Sequence, residues 1–204
     1  MNKTTKQLIR ICALLVLFAA LAGFSACSKK GGDAADIDNP YQDGEVADLS
    51  AYEGMDDYDG EVMMVETTVA EAEEYIEDNK TFVLFMSFAD CPYCNRLIPY
   101  LNEIAAERGI KVAYVDTRSN PEWMNNMDID DYDVFAERFK KYLSKDDDGK
   151  PHLYTPDTYF IKKGRIVARH DGVTPGADDP SVPLTSSQEE QLRKDLNTEF
   201  DALY

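Results

Sequence analysis

The run Thr81-Phe-Val-Leu-Phe-Met-Ser-Phe88 has Thr81 and Ser87 as its only polar members, and Cys91-Pro92-Tyr93-Cys94 follows directly after it. A segment this apolar has no face to offer to water, so it reads as a strand covered on both sides inside a sheet. Beyond the cysteines, Leu97, Ile98, Leu101, Ile104 and Ala105 recur at helical spacing up to Gly109, and Ile110 to Val115 forms another buried run. Strand, helix and strand of these lengths make a βαβ unit with parallel strands. The fold class is therefore α/β.

Cys91 falls at the start of the helix, where unpaired N–H groups and the macrodipole favour an anion. It is expected to be the attacking thiolate, with its sulfur open to solvent. Pro92 suits the first helical turn, since its missing N–H would be unpaired there anyway. Cys94 lies one turn further in, and is expected to be the shielded, resolving thiol. Two inert readings compete. Zinc needs four ligands, and His152 and His170 stand in no ligand spacing with the cysteines. A purely structural disulfide would close a tiny loop and gain little entropy.

Around this unit, Val62 to Val65 reads as a short strand, and Thr68 with Glu71 as a capping box opening a helix to about Asn79. Residues 117–150 form an insertion with a helix from about Tyr132 to Leu143; it either shapes a substrate groove or covers the sheet. Asp157 to Lys162, the turn Lys163-Gly164 and Arg165 to His170 make an antiparallel hairpin. Ser187 and Glu190 form a second capping box for a last helix with Leu192, Leu196, Phe200 and Leu203 on one stripe. The acidic runs Asp128 to Asp133 and Asp146 to Asp148 do not reproduce a calcium-binding loop and read as solvated loops. Trp123 and His170 read as packing residues.

The N-terminus is an address. Lys3, Lys6 and Arg10 precede the apolar stretch Ile11 to Ala22, which is too short to span a bilayer, and Gly23-Phe24-Ser25-Ala26-Cys27 follows. This ending resembles a bacterial lipobox, with Phe24 where Leu is usual. The resemblance implies cleavage after residue 26, lipidation of Cys27 and an extracytoplasmic, membrane-anchored protein. Of the four cysteines, Cys91 and Cys94 then remain as thiols. Outside the cytoplasm a single close pair is more often a working couple than a staple.

The chain carries 39 acidic and 21 basic side chains, for a formal charge of -18. That excess leaves no broad basic surface for phosphate, so nucleic acid is excluded as a partner. Residues 31–60 hold ten Asp and Glu and no basic residue. Residues 27–60 are therefore expected to be a lipidated, disordered acidic tether reaching roughly 30 Å, with Tyr41, Tyr52 and Tyr58 scattered along a solvated spacer.

Residues 61–204 resemble a thioredoxin-fold protein, most like the extracytoplasmic thioredoxin-like lipoproteins known as bacteriocin transport accessory proteins. Phe82 to Phe88, the Cys91–Cys94 motif, Val112 to Asp116, and Thr155-Pro156 before Thr158 to Gly164 carry the resemblance. It implies a central mixed sheet flanked by helices, with a helical insertion before the cis-proline strand. Pro156 matches the cis-proline that faces the active cysteines, and with it Thr155, Pro92 and Tyr93 would border the substrate. The implied activity is thiol-disulfide exchange with protein or peptide cysteines and an extracytoplasmic redox partner. It needs no bound cofactor and no metal, because the dithiol carries the electrons. The rival readings are a non-catalytic accessory module that binds an exported peptide or a transporter, and metal delivery by the thiols. One departure stands out: Phe85 occupies the position of a buried acid that serves the resolving thiol in thioredoxin. Asp90 is the nearest substitute in sequence, though a loop acid at that position reads first as solvated.

Overall fold

The computed structural model describes residues 36–118 and 135–204. The leader, Cys27, Trp123 and Asp128 to Asp133 lie outside the described residues. Strand β1 (Met64–Glu66) leads into α1 (Val69–Glu77). The wholly buried β2 (Phe82–Ser87) precedes α2 (Pro92–Arg108), and β3 (Val112–Asp116) follows. A short pair, β4 (Ser144–Lys145) and β5 (Pro151–His152), leads to the hairpin β6 (Asp157–Lys162) and β7 (Arg165–Asp171), and α3 (Ser186–Asp201) closes the fold.

The main sheet has the order β1-β3-β2-β6-β7. β3 runs parallel to both β1 and β2, whereas β6 is antiparallel to β2 and to β7. This mixed sheet, with helices on both sides and a cis Thr155–Pro156 bond leading into β6, is a thioredoxin-like fold. Two apolar layers sandwich the sheet. One joins Val83, Phe85 and Phe160 to Leu97 and Leu101 of α2 and to Leu192, Leu196 and Phe200 of α3. The other joins Leu84, Met86 and Tyr159 to Val69 and Ile76 of α1 and to Phe135 and Phe139.

Alternation along β2 assigns each side chain to a layer. Val83 and Phe85 face α2, as does Ser87 by the same period of two. The helix behind them ends where its sequence says, at Gly109, which takes the left-handed conformation (φ 65°) that glycine adopts without a Cβ clash. The hairpin turn places Lys163 and Gly164 both at positive φ (49° and 69°), and a Cβ on Gly164 would lie 2.3 Å from the Ile76 carbonyl oxygen. Only glycine fits that approach.

The acidic segment departs from expectation. Within residues 36–60 the chain packs as part of the domain instead of trailing as a tether. Tyr41, Leu49, Tyr52 and Met55 are buried, Ala47 N–H donates to the Met64 carbonyl at 2.8 Å, and Val46 bridges Val65 at the sheet edge. The acids from Asp43 to Asp59 are exposed. Charge density alone suggested a solvated coil, but the apolar anchors between the charges supply enough burial to hold the backbone while every carboxylate stays in water.

Helix capping differs in register. Thr68 accepts from Glu71 N–H as expected, but the Glu71 carboxylate accepts from the Thr67 hydroxyl at 2.7 Å instead of closing the box. At α3 the box is Thr185 with Gln188, two residues ahead of the Ser187–Glu190 pair, because two overlapping motifs compete and the earlier one starts the helix. In the insertion, residues 135–139 are helical, and Phe135 and Phe139 stack 4.4 Å apart over Tyr159. This described part covers the sheet face opposite α2.

If residues 36–60 are an integral layer, Leu49→Ala should lower stability by about 2–5 kcal/mol, as for other buried leucines. Urea unfolding of the chain without residues 1–27 measures this, and an unchanged midpoint would restore the tether.

Candidate functional site

The loop after β2 turns so that Cys91 becomes the N-cap of α2. Cys91 N–H donates to the Phe88 carbonyl at 3.1 Å, and Asn95 N–H closes the first helical turn on the Cys91 carbonyl at 3.0 Å. Asn95 braces the loop from its other side. Its Nδ2 donates to the Ala89 carbonyl at 2.9 Å, while its Oδ1 accepts from Glu53 N–H in the N-terminal segment at 2.9 Å. Pro92 stands at the exposed start of the helix, where no N–H is missed.

In the N-cap the usual oxygen is replaced by sulfur: Cys94 N–H donates to Cys91 Sγ at 3.3 Å. Thr155 faces the same sulfur, with its carbonyl oxygen at 3.6 Å and its hydroxyl at 4.0 Å. The cis Thr155–Pro156 bond thus lies beside Cys91, where the resemblance puts it. Its far side is anchored by Asp157, whose buried carboxylate takes two 2.8 Å hydrogen bonds from Arg169 and one from the Tyr159 hydroxyl.

The two thiols differ in electrostatics. Hydrogen bonding from Cys94 outweighs burial and, with the Cys94 and Tyr93 backbone N–H groups and the Thr155 hydroxyl, holds the Cys91 pKa down to about 6. Burial pushes the Cys94 thiol far up, and the neighbouring Cys91 sulfur adds to it. Near neutral pH the proton belongs on Cys94 and the charge on Cys91. Cys91 is nevertheless only 5% exposed, against 0% for Cys94. The expectation of an open sulfur is corrected: the Thr155–Pro156 loop packs over it.

Tyr93 borders a groove of about 400 Å³ formed with Asp171, Val173, Thr174 and Asp178, and its hydroxyl donates to the Asp178 carbonyl. Asp90 is turned to water, its side chain 87% exposed and paired with Arg118 at 3.6 Å, so it does not serve Cys94. His170 is a packing group, held between Glu199 (3.0 Å) and the Val173 carbonyl (2.7 Å). Three residues near the pair carried no functional reading in the sequence. Tyr52 donates to Ser87 Oγ at 3.0 Å, Tyr52 and Tyr114 share a 2.9 Å hydroxyl contact, and the Ser87 hydroxyl offsets part of the upward push that burial gives the Cys94 thiol. The signal available was Ser87 itself, a polar residue on the α2 side of an otherwise apolar strand.

No family model matches the sequence, and no curated protein matches it. Among solved structures the chain is similar to a protein with a thioredoxin fold, at 17% identity over 58% of this chain and 88% of that one, with a TM-score of 0.41. It is similar also to a thioredoxin of Nicotiana alata, at 14% identity over 68% and 96%, TM-score 0.38. A thioredoxin from Aeropyrum pernix follows at 21% over 53% and 75%, TM-score 0.35. The fold assignment rests on the strand order and directions described above.

Alkylation of the reduced protein by iodoacetamide should modify Cys91 with a rate that follows the thiolate fraction, with its midpoint near pH 6. Cys94 should stay unmodified over that range. A midpoint at the ordinary thiol value of about 8.5 would contradict the electrostatic asymmetry.

Proposed function

We propose that the mature protein is a membrane-anchored, extracytoplasmic thiol-disulfide oxidoreductase acting on protein or peptide cysteines through the Cys91-Pro92-Tyr93-Cys94 couple. The observation that carries the reading is the asymmetry of the pair: the Cys91 sulfur caps α2 beside the cis Thr155–Pro156 corner and accepts from Cys94 N–H, which lowers its pKa, while the Cys94 thiol is fully buried one turn behind it, which raises its own.

The chemistry balances without a cofactor. The Cys91 thiolate attacks one sulfur of a substrate disulfide, the S–S bond breaks, and the other substrate sulfur leaves as a thiolate that takes a proton from water. Cys94 then attacks Cys91 Sγ. The Cys91–substrate bond breaks, its electron pair stays on the departing substrate sulfur, and the proton lost by Cys94 ends there. The dithiol gives up two electrons and the substrate disulfide becomes two thiols; the reverse sequence oxidises a substrate dithiol. Pro92, Tyr93, Thr155 and Pro156 border the sulfur and serve as the substrate-binding frame, with an extended peptide lying along the Thr155 backbone. The resemblance to bacteriocin transport accessory proteins supports an exported peptide or protein as the substrate class.

A second reading, a non-catalytic module that binds an exported peptide or a transporter, draws on one observation: Cys91 is largely covered. Covalent trapping separates the two. Cys94→Ser should accumulate mixed disulfides with extracytoplasmic proteins, and Cys91→Ser should accumulate almost none. Equal trapping by both variants, or none by either, would favour the binding module.

The anchor follows from the leader and Cys27. Cleavage leaves 18 basic side chains against 39 acidic, a formal charge of -21, so electrostatic attraction to anionic lipid is absent and acyl chains must supply the affinity. Among the described residues no helix is long and apolar enough to cross a membrane. Cys27→Ala should release the protein from membranes or block its processing; a processed but non-acylated form that stays on the membrane would contradict the anchor.

A further inference from the structure

We propose that His170 is held as a doubly protonated imidazolium that pins the 171–178 loop to α3, which makes it a positioning residue for the substrate groove beside Cys91. The protonation state follows from the contacts of the ring; its consequence for substrate rests on the redox reading of the cysteine pair.

His170 is 6% exposed on β7, and both of its ring nitrogens face oxygen acceptors. Nδ1 lies 3.0 and 3.3 Å from the two carboxylate oxygens of Glu199 on α3, and Nε2 lies 2.7 Å from the Val173 carbonyl oxygen. A neutral imidazole carries one N–H and one lone pair. Whichever nitrogen were left bare would set its lone pair against an oxygen lone pair at a buried ring. The imidazolium donates on both sides, and the ring keeps the proton because it is a stronger base than the carboxylate. Burial by itself would push the ring's pKa down. The Glu199 hydrogen bond and charge, the Val173 carbonyl and the charge of Asp195 one turn earlier on α3 outweigh it and raise it. Thr158, the register partner on β6, carries no charge. Arg169 and Asp171, on either side in sequence, point to the other face of the strand and pair with each other at 3.2 Å, Arg169 also with Asp157.

The loop pinned in this way is a wall of the groove. Gly172 N–H donates to the Pro156 carbonyl at 3.0 Å, Val173 accepts from His170, and the Asp178 carbonyl accepts from the Tyr93 hydroxyl. Val173, Thr174 and Asp178 line the roughly 400 Å³ groove that Tyr93 borders. One ring thus joins α3 to the frame that holds the cis-proline corner and the Cys91–Cys94 motif. Deprotonation removes one of its two bonds and breaks that connection, since each bond secures one end. With the folded-state pKa raised, the pin is complete below the ordinary histidine value of about 6.5 and is lost as pH rises through the raised one. Cys91 runs the other way, gaining its thiolate as pH rises through about 6.

The test uses the chain without residues 1–27, whose two histidines are His152 and His170. Nitrogen NMR in a His152→Gln background should show both ring nitrogens of His170 protonated at pH 7; one bare nitrogen there overturns the proposal. The second readout is single-turnover reduction of an oxidised model peptide by the reduced protein. In His170→Gln the half-saturating peptide concentration should rise roughly three- to tenfold, the weight of one hydrogen bond, while the limiting rate and Cys91 alkylation by iodoacetamide stay unchanged. The parent should show the same rise as pH passes through the His170 pKa measured by NMR, and the variant should not. An unchanged half-saturating concentration overturns the positioning role. If His170→Gln does not fold, Glu199→Gln, which removes the facing charge, should move the ring's titration and the rise to lower pH; no movement overturns the proposal. A parent that reduces no disulfide removes the redox reading instead, and amide hydrogen exchange of residues 172–178 then decides the pin alone: faster exchange in His170→Gln supports it, equal exchange overturns it.

Discussion

Across the first turn of α2, the backbone N–H of Cys94 donates to the sulfur of Cys91, and the surrounding structure holds that turn in place. An N-cap normally uses a side-chain oxygen to satisfy an orphan helical donor. Here a thiolate does so, and the capping interaction and the activation of the nucleophile become one contact. The ionised sulfur also meets the positive end of the helix dipole. Capping thus supplies part of the reason for the low Cys91 pKa, and the same hydrogen bonds tie the cysteine to a fixed position.

Holding the turn requires support from both directions. Behind it, the buried β2 strand and the leucines of α2 fix where the helix begins. In front, β6 enters through Thr155–Pro156, and Asp157 fastens that corner to Arg169 on β7 from the opposite layer. From the side, the acidic N-terminal segment reaches Asn95 through Glu53 and reaches Ser87 through Tyr52. Segment, helix and sheet meet behind Cys94, which is why its environment cannot be derived from the βαβ unit alone.

Much of this was legible in the sequence, and the parts that were not share a cause. The strand ahead of Cys91, the helix to Gly109, the hairpin at Lys163-Gly164 and the corner at Pro156 are local or carried by the family resemblance. The first three depend on residues whose neighbours in sequence are also their neighbours in space, and the corner at Pro156 was legible only through the resemblance. Tyr52 is different: its hydroxyl partners, Ser87 and Tyr114, lie 35 and 62 positions away. Charge counting over residues 31–60 registered the carboxylates and passed over Tyr41, Leu49, Tyr52 and Met55, whose burial decides the segment's state. The α3 cap failed more modestly, because Thr185–Gln188 and Ser187–Glu190 satisfy the same local rule. The cover over Cys91 depends on a loop more than sixty residues away in sequence.

The reduction potential of the Cys91–Cys94 couple tests the central claim most directly. Equilibrium titration of the chain without residues 1–27 against a thiol-disulfide buffer should give one reversible two-electron transition, lost in either single-cysteine variant. Its midpoint should lie between about -270 and -120 mV, the range of working dithiol proteins. A pair that resists reduction below about -300 mV, as structural disulfides do, or that forms no reversible couple, would contradict the account.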